Sequence, residues 1–357
     1  MQIIKNEILQ IKIKSSIFMW LEDQNKSDWD EIISKYNGHI KQSYNWGELK
    51  QNAGWKCLRL KYSTKLQEKN KILQILYKKK FFFVFIYIAG NIINDDLNSN
   101  RDLLNFLKKK YRRKILYVRY HNEDELDPKY CEILKRLGWK KPNFHKGQNS
   151  ITKKNLSCEQ ELMKSYKQKW RYNLKKSYES NFKISIERKI SSEEIFNLSR
   201  KHENLKKAKK SYLHYDYQIY PLLKYFKNDL IIGKVLLNNQ IIALRIFILY
   251  NNIAWNYMNI NETKGIELNT GYRLLHDLTN EFLKMGVKKI FLGDLNNKQF
   301  PGKYQFNTGY EKNVTETNGE FIYSNSKLAT YFIEIILSSY LDVKKNIFSN
   351  FIPNLKI

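Results

Sequence analysis

The stretch LGDLNNKQFPGKYQFNTGY, residues 292–310, carries the side chains of this chain best suited to chemistry. Asp294 closes an apolar run, Asn296 and Asn297 suit a tight turn, and Lys303 and Asn307 follow among the aromatics Tyr304, Phe306 and Tyr310. A carboxylate, an ammonium and an amide in one short segment are groups that can hold, take up or donate protons. Asn307 offers a neutral hydrogen-bond donor, Lys303 a positive charge, and Asp294 a carboxylate that either takes a proton or braces the turn. Read as an extended strand, the segment turns Lys303 and Asn307 to one face, ~13 Å apart, and its aromatics to the other. Arg245 lies inside the apolar run QIIALRIFILY, where a charge calls for a carboxylate or a ligand beside it. No Ser or Cys nucleophile with a His partner is evident, which speaks against a covalent enzyme intermediate.

The elements that must hold these residues are legible in the second half. IIGKVLL (231–237), QIIALRIFILY (240–250) and IAWNYMNI (253–260) are β-rich runs joined by Asn238-Asn239 and Asn251-Asn252, and asparagine tolerates the positive φ of two-residue hairpin turns. An antiparallel meander follows. TGYRLLHDLTNEFLKMG spaces Tyr272, Leu275, Leu278, Phe282 and Met285 as one helix face, with Thr270 as N-cap and Gly286 as terminator, and KKIFLGD is a short buried strand. The first half repeats the β-β-β-α-β order: WKCLRLKY, ILQILYKK and FFFVFIYI as strands, RDLLNFLKKKYRR as a helix, KILYVRY as a strand and DPKYCEILKRLGW as a helix. Between the halves, SCEQELMKSYKQKWRYNLKKSYES reads as one basic helix of about six turns, opened by Ser157 and Gln160 and carrying Lys164, Lys167, Arg171 and Lys175 on one stripe. A second capping box stands at Ser191 and Glu194, and NSKLATYFIEIILSSYLDV is an apolar tail helix that must dock.

Composition bounds the reading. The chain has 357 residues, 42% hydrophobic and 14% aromatic, enough for two domains, and 63 Lys and Arg against 35 Asp and Glu leave a net charge of +28. That excess suits a polyanion such as nucleic acid, anionic lipid or a phosphate-bearing substrate. Three scattered cysteines fit a reducing compartment, and the six histidines form no HxH or HExxH, so no metal site is expected. The N-terminal MQIIKNEILQIKIK is a poor signal peptide, and the longest apolar runs fall short of the ~20 residues of a spanning helix.

QSYNWGELKQNAGW (42–55), LYVRY (116–120), RLGW (136–139), WRYNLKKSYESNFKISI (170–186), the β-β-β-α-β block and GKYQFNTGY (302–310) together resemble the Fem family, tRNA-dependent aminoacyltransferases that build peptidoglycan cross-bridges. The resemblance implies an α+β architecture of two GNAT-like acyltransferase domains in tandem, with mixed, mostly antiparallel sheets flanked by helices. The N-terminal domain would span 1–150, with the C-terminal helix 325–357 packing back on it, and the second domain 151–324. It also implies catalytic roles at Asn307, where the family carries a lysine, and at Lys303 and Asp294. Substrate-binding roles fall to Lys50 and Trp46, with Lys50 meeting phosphate, and to Arg171, Lys175, Tyr220, Arg245, Tyr257 and Tyr304. Asp216 stands where the family has an arginine, four residues before Tyr220, and the YxPRGP turn is reduced to IYIAGN.

Three readings stay open. The first is a cytoplasmic transferase, soluble or peripheral to the inner face of the membrane, without a cofactor. It moves an aminoacyl group from aminoacyl-tRNA, or another acyl group, to an amine of a cell-envelope precursor, a peptidoglycan peptide or amino sugar that is free or lipid-linked. The second is a coenzyme A-dependent GNAT N-acyltransferase of surface polysaccharide biosynthesis, although the glycines of ETKGIELNTGY stand at the wrong spacing for a pyrophosphate loop. The third is a non-catalytic RNA- or envelope-binding relative, for which Asn307 is the best argument.

Overall fold

The computed structural model describes residues 19–23, 25–63, 71–92, 97–143, 150–156, 158–198, 200, 216–297 and 300–342. Its strands are β1 (Met19–Glu22), β2 (Lys56–Ser63), β3 (Lys71–Lys80), β4 (Phe83–Ala89), β5 (Ile115–Glu125), β6 (Ser150–Asn155), β7 (Lys183–Glu187), β8 (Leu230–Leu237), β9 (Gln240–Tyr250), β10 (Ile253–Asn261), β11 (Lys289–Asp294) and β12 (Thr315–Ser324). They form one sheet in the order β1-β2-β3-β4-β5-β12-β6-β11-β10-β9-β8-β7.

The two halves repeat one topology. β2, β3 and β4 run antiparallel, helix Leu97–Lys110 crosses over, and β5 returns parallel to β4. Likewise β8, β9 and β10 run antiparallel, helix Thr270–Lys284 crosses over, and β11 lies parallel to β10. β12 joins the halves by pairing β5 on one side and β6 on the other. The asparagine turns form as the spacing predicts: Asn238, Asn239, Asn251 and Asn252 have φ of 50°, 63°, 51° and 58°, which asparagine adopts at low cost.

Helix Thr270–Lys284 buries Leu274, Leu275, Leu278 and Phe282 against Phe247 and Ala254, at the three- and four-residue spacing of one face. Asn269 in the left-handed conformation is its N-cap, whereas Thr270 is its first residue and donates its hydroxyl to the Gly265 carbonyl at 2.9 Å. On the other face of the second meander, Leu244, Ile246 and Ile248 pack with Leu222 and Phe226 of helix Asp216–Phe226.

The basic connection departs from the sequence reading. It is two helices, Glu159–Ser165 and Gln168–Tyr178, broken where Tyr166 and Lys167 adopt extended ψ of 149° and 154°. Tyr166 is the cause: fully buried, it packs at a tilt on Trp170 and stacks on Tyr310, at centroid distances of 4.1 and 5.4 Å, and burial of that ring outweighs helix continuity. Lys164 is therefore severed from the proposed stripe, and Ser157 lies outside the described residues. The Ser191–Glu194 capping box forms in both directions, each bond 3.0 Å long. Helix Lys327–Asp342 docks on β5, where Tyr117 donates to the Glu334 carboxylate and Asn325 bridges the Leu116 amide and the Lys114 carbonyl at 2.8 and 2.9 Å. Residues 343–357 of that expected helix, and 1–18 of the expected first domain, lie outside the described residues.

Candidate active site

Residues 301–310 form a helix, and this corrects the strand reading. Pro301 at its first turn presets φ and lacks only an amide hydrogen that has no helical acceptor there. Tertiary contacts overcome the two glycines. Phe306 packs on Tyr272 and Trp170 at 4.9 and 5.9 Å, and Tyr310 shares a 2.7 Å hydrogen bond with the Thr279 hydroxyl. Gly309 lets Trp170 close in, since a Cβ there would meet its ring at 2.9 Å.

A 3.6-residue period puts Lys303, Phe306, Asn307 and Tyr310 on one face. Lys303 and Asn307 are then one turn apart, ~6 Å between Cβ atoms rather than ~13 Å. That face looks onto Arg245 of β9, whose guanidinium lies 5.4 Å from the Phe306 ring centre. Arg245 is 4% exposed, and its Nε and Nη1 have no hydrogen-bond partner among the described residues. Burial pushes its pKa down to about 10, offset only in part by Tyr310. The carboxylate expected beside it is missing among the described residues. Asn307 is 2% exposed, and its Nδ2 is likewise without an acceptor. The site thus holds buried donors with no acceptor among the described residues.

Asp294, half-buried at the end of β11, follows a bulge between Phe291 and Gly293 and the positive φ of Gly293. The Lys303 residue is exposed, but its ammonium reaches back to Gly293, where a Cβ would lie 4.0 Å from Nζ. Burial of the ammonium chiefly lowers its pKa, with Asp294 opposing and Arg245 adding to the fall. Asp294 also acts electrostatically on Lys41 and Tyr87 of the first half, so it stands where the halves meet.

The first half brings a buried polar group there that was not singled out from sequence. Glu123 of β5 accepts from Lys41 Nζ at 2.6 Å and contacts His39 Nε2, with His121 Nδ1 at 3.8 Å. Burial would raise the Glu123 pKa, but Lys41 and His39 overcome it and hold the carboxyl well below its usual range. Burial would likewise lower Lys41, yet Glu123 chiefly shifts it upward, whereas His39 is pushed down by burial despite Glu123. His121, Glu123 and Asp294 bring ligand atoms within 4.8 Å of one another, a donor set that could hold a cation, and Lys41 already supplies one at Glu123. The sequence signal was Arg119, His121 and Glu123 at every second position of β5, a polar row pointing to one side of a buried strand.

The other candidates sit apart from Arg245. Lys50 Nζ lies 4.8 Å from the Trp46 ring centre, and Trp46 meets Tyr257 edge-on at 6.4 Å, within the core on the opposite face of the second meander. Arg171 Nη1 donates to the Tyr166 carbonyl at 2.8 Å, closing the helix break. Lys175 and Tyr220 are exposed on their helices, and Tyr304 is half-buried beside Lys303.

No protein-family model and no curated protein matches the chain at the level of sequence. Solved structures do match. FemX aligns with a TM-score of 0.73 at 12% identity, over 88% of this chain and 99% of that one. L-PGS from Bacillus licheniformis aligns at 0.57 and 10% identity, over 91% and 99%. A tandem GNAT protein from the clavulanic acid biosynthesis pathway aligns at 0.55 and 8% identity, over 87% and 99%. At such identities the likeness is one of fold, and the fold is the Fem-like GNAT architecture: a large, mostly antiparallel sheet flanked by helices.

Proposed function

We propose that this protein is a cytoplasmic Fem-like transferase that moves an aminoacyl group from aminoacyl-tRNA to an amine of a cell-envelope precursor, a peptidoglycan peptide or amino sugar. The halves 1–150 and 151–324 act as its two domains, and the site lies where they meet. The observation that carries this reading is the set of buried donors without acceptors, Arg245 Nε and Nη1 and Asn307 Nδ2, facing Lys303 and Asp294. In the reaction the acceptor nitrogen attacks the ester carbonyl, a C–N bond forms and the C–O bond to the ribose breaks. Asn307 donates to the developing oxyanion and Arg245 supplies fixed positive charge in a desolvated place, where one such donor is worth ~3–4 kcal/mol. The nitrogen's proton passes to Asp294 or to the neutral fraction of Lys303, and the leaving ribose oxygen takes one up. Lys50, beside Trp46 and Tyr257, meets substrate phosphate, while Arg171, Lys175 and the wider charge of +28 suit tRNA.

The coenzyme A alternative is disfavoured by the loop before helix Thr270–Lys284. The amides of Glu262, Ile266, Leu268 and Asn269 donate to carbonyls of the chain. Gly265 is a packing glycine, since a Cβ would lie 2.6 Å from Asn261 Oδ1 and 2.9 Å from the Ile242 carbonyl. The test offers the purified protein charged tRNA or acyl-coenzyme A, each with a nucleotide-linked muropeptide or an amino-sugar acceptor, and reads the acceptor's mass. A product that requires charged tRNA supports the proposal. Transfer from acyl-coenzyme A alone moves the protein to the alternative, and tRNA binding without product from either donor makes it a non-catalytic relative.

A further inference from the structure

Three two-residue turns connect the meanders, and one breaks the pattern of the others. Two use Asn-Asn, while β3 and β4 are joined by Phe81 and Phe82. Phe81 has φ of 49°, a left-handed conformation that a bulky side chain rarely adopts, and the two residues are 82% and 55% exposed. Local folding favours asparagine or glycine at this turn, and water favours a polar side chain. Two phenylalanines serve neither.

The surroundings are basic. Lys78, Lys79 and Lys80 lead into the turn, and Lys108, Lys109, Lys110, Arg112, Arg113 and Lys114 stand at the helix end and loop before β5. Lys114 Nζ donates to the Phe81 carbonyl at 2.9 Å, and the Ile115 amide to that of Phe82 at 2.7 Å, so the loop is fastened to the tip. Glu22 offsets one of these charges by pairing with Lys110. The pKa of Lys79 is lowered, by partial burial first and then by Lys110, Lys56 and Lys114. Beside the same loop, Asn325 ties the start of helix Lys327–Asp342 to Lys114 and Leu116, and that helix exposes Leu328, Tyr331 and Phe332.

We propose that the β3–β4 tip, its basic ring and the apolar stripe of the C-terminal helix form a docking surface for an anionic phospholipid bilayer. Phenylalanines at a tip enter the interfacial layer, and lysines and arginines around them meet lipid phosphates. Leucine on the adjoining helix favours lipid over RNA, since base stacking uses aromatic or guanidinium planes. The surface does not depend on the proposed transfer reaction, because the tip stands at the far end of β4 from Tyr87.

The test is sedimentation with phosphatidylglycerol–phosphatidylcholine vesicles, against phosphatidylcholine alone, at ~0.1 M salt. The variant F81N/F82N copies the chain's own asparagine turns and should keep the wild-type thermal midpoint or exceed it. Wild-type protein should bind anionic vesicles, weaken steeply with salt, and lose at least about tenfold in F81N/F82N or in L328S/F332S. No wild-type binding to anionic vesicles, or equal binding by both variants, overturns the proposal. So does a variant that keeps vesicle binding but loses tRNA in a gel shift, or that only converts a dimer to a monomer in sedimentation velocity.

Discussion

Replacing Arg245 with methionine should make the protein more stable and inactive. The guanidinium is 4% exposed, and two of its nitrogens have no acceptor. Its pKa falls from the usual guanidinium range above 12 to about 10. At ~1.4 kcal/mol per tenfold, keeping the charge in place costs the folded state about 3 kcal/mol. The sign follows: the folded pKa is depressed, so the cost is present in full below about 10 and is relieved only as pH rises above it. Methionine fills much of the arginine stem's volume and removes the charge, at the loss of the guanidinium's approach to the Phe306 and Phe247 rings, 5.4 and 5.8 Å from their centres. Urea unfolding at pH 7 should show Arg245→Met more stable by ~1–3 kcal/mol, with a thermal midpoint raised by roughly 2–5 °C. Transfer by Arg245→Met should fall by ~10² or more. A variant destabilised by more than ~2 kcal/mol, or one with wild-type turnover, would show the guanidinium to be a structural partner and refute the reasoning.

Asn307→Ala should lower turnover by roughly 10²-fold and change the urea midpoint little, because the amide nitrogen it removes has no acceptor among the described residues; single-turnover assays on the two proteins decide it. Lys303 has a lowered pKa, so a rate that needs its neutral amine should rise with pH to a plateau below the ordinary lysine range. Lys303→Arg, permanently charged, should flatten that profile and lower the rate. Glu123→Gln should destabilise by ~3–5 kcal/mol at pH 7, since it leaves Lys41 and His39 facing a neutral amide in a buried place. The folded Glu123 pKa is depressed, so its contribution is present above the ordinary glutamate value and lost as pH falls through the lower folded one. Denaturation curves taken down an acid series should show the two proteins converge there.

Local signals in the sequence determined much of the second half. Asparagine pairs tolerate positive φ, and apolar residues at three- and four-residue spacing need a core, so the β8–β9–β10 meander and helix Thr270–Lys284 were legible from neighbours a few positions apart. The same holds for the Ser191–Glu194 box, which closes within one turn. Segment 301–310 is not legible as a helix because its two glycines and aromatics carry no dominant period, and the helix rests on rings remote in sequence, Tyr166, Trp170 and Tyr272. Tyr166 likewise broke a basic helix that local propensity favoured. Asp294, Lys303 and Arg245 could be named from residue type. Their meeting with one another and with Lys41 and Glu123 could not, because it rests on interactions between residues as far apart as 41 and 294. Periodicity records which face of an element is apolar, but only packing in three dimensions decides which polar side chains are left facing one another without water.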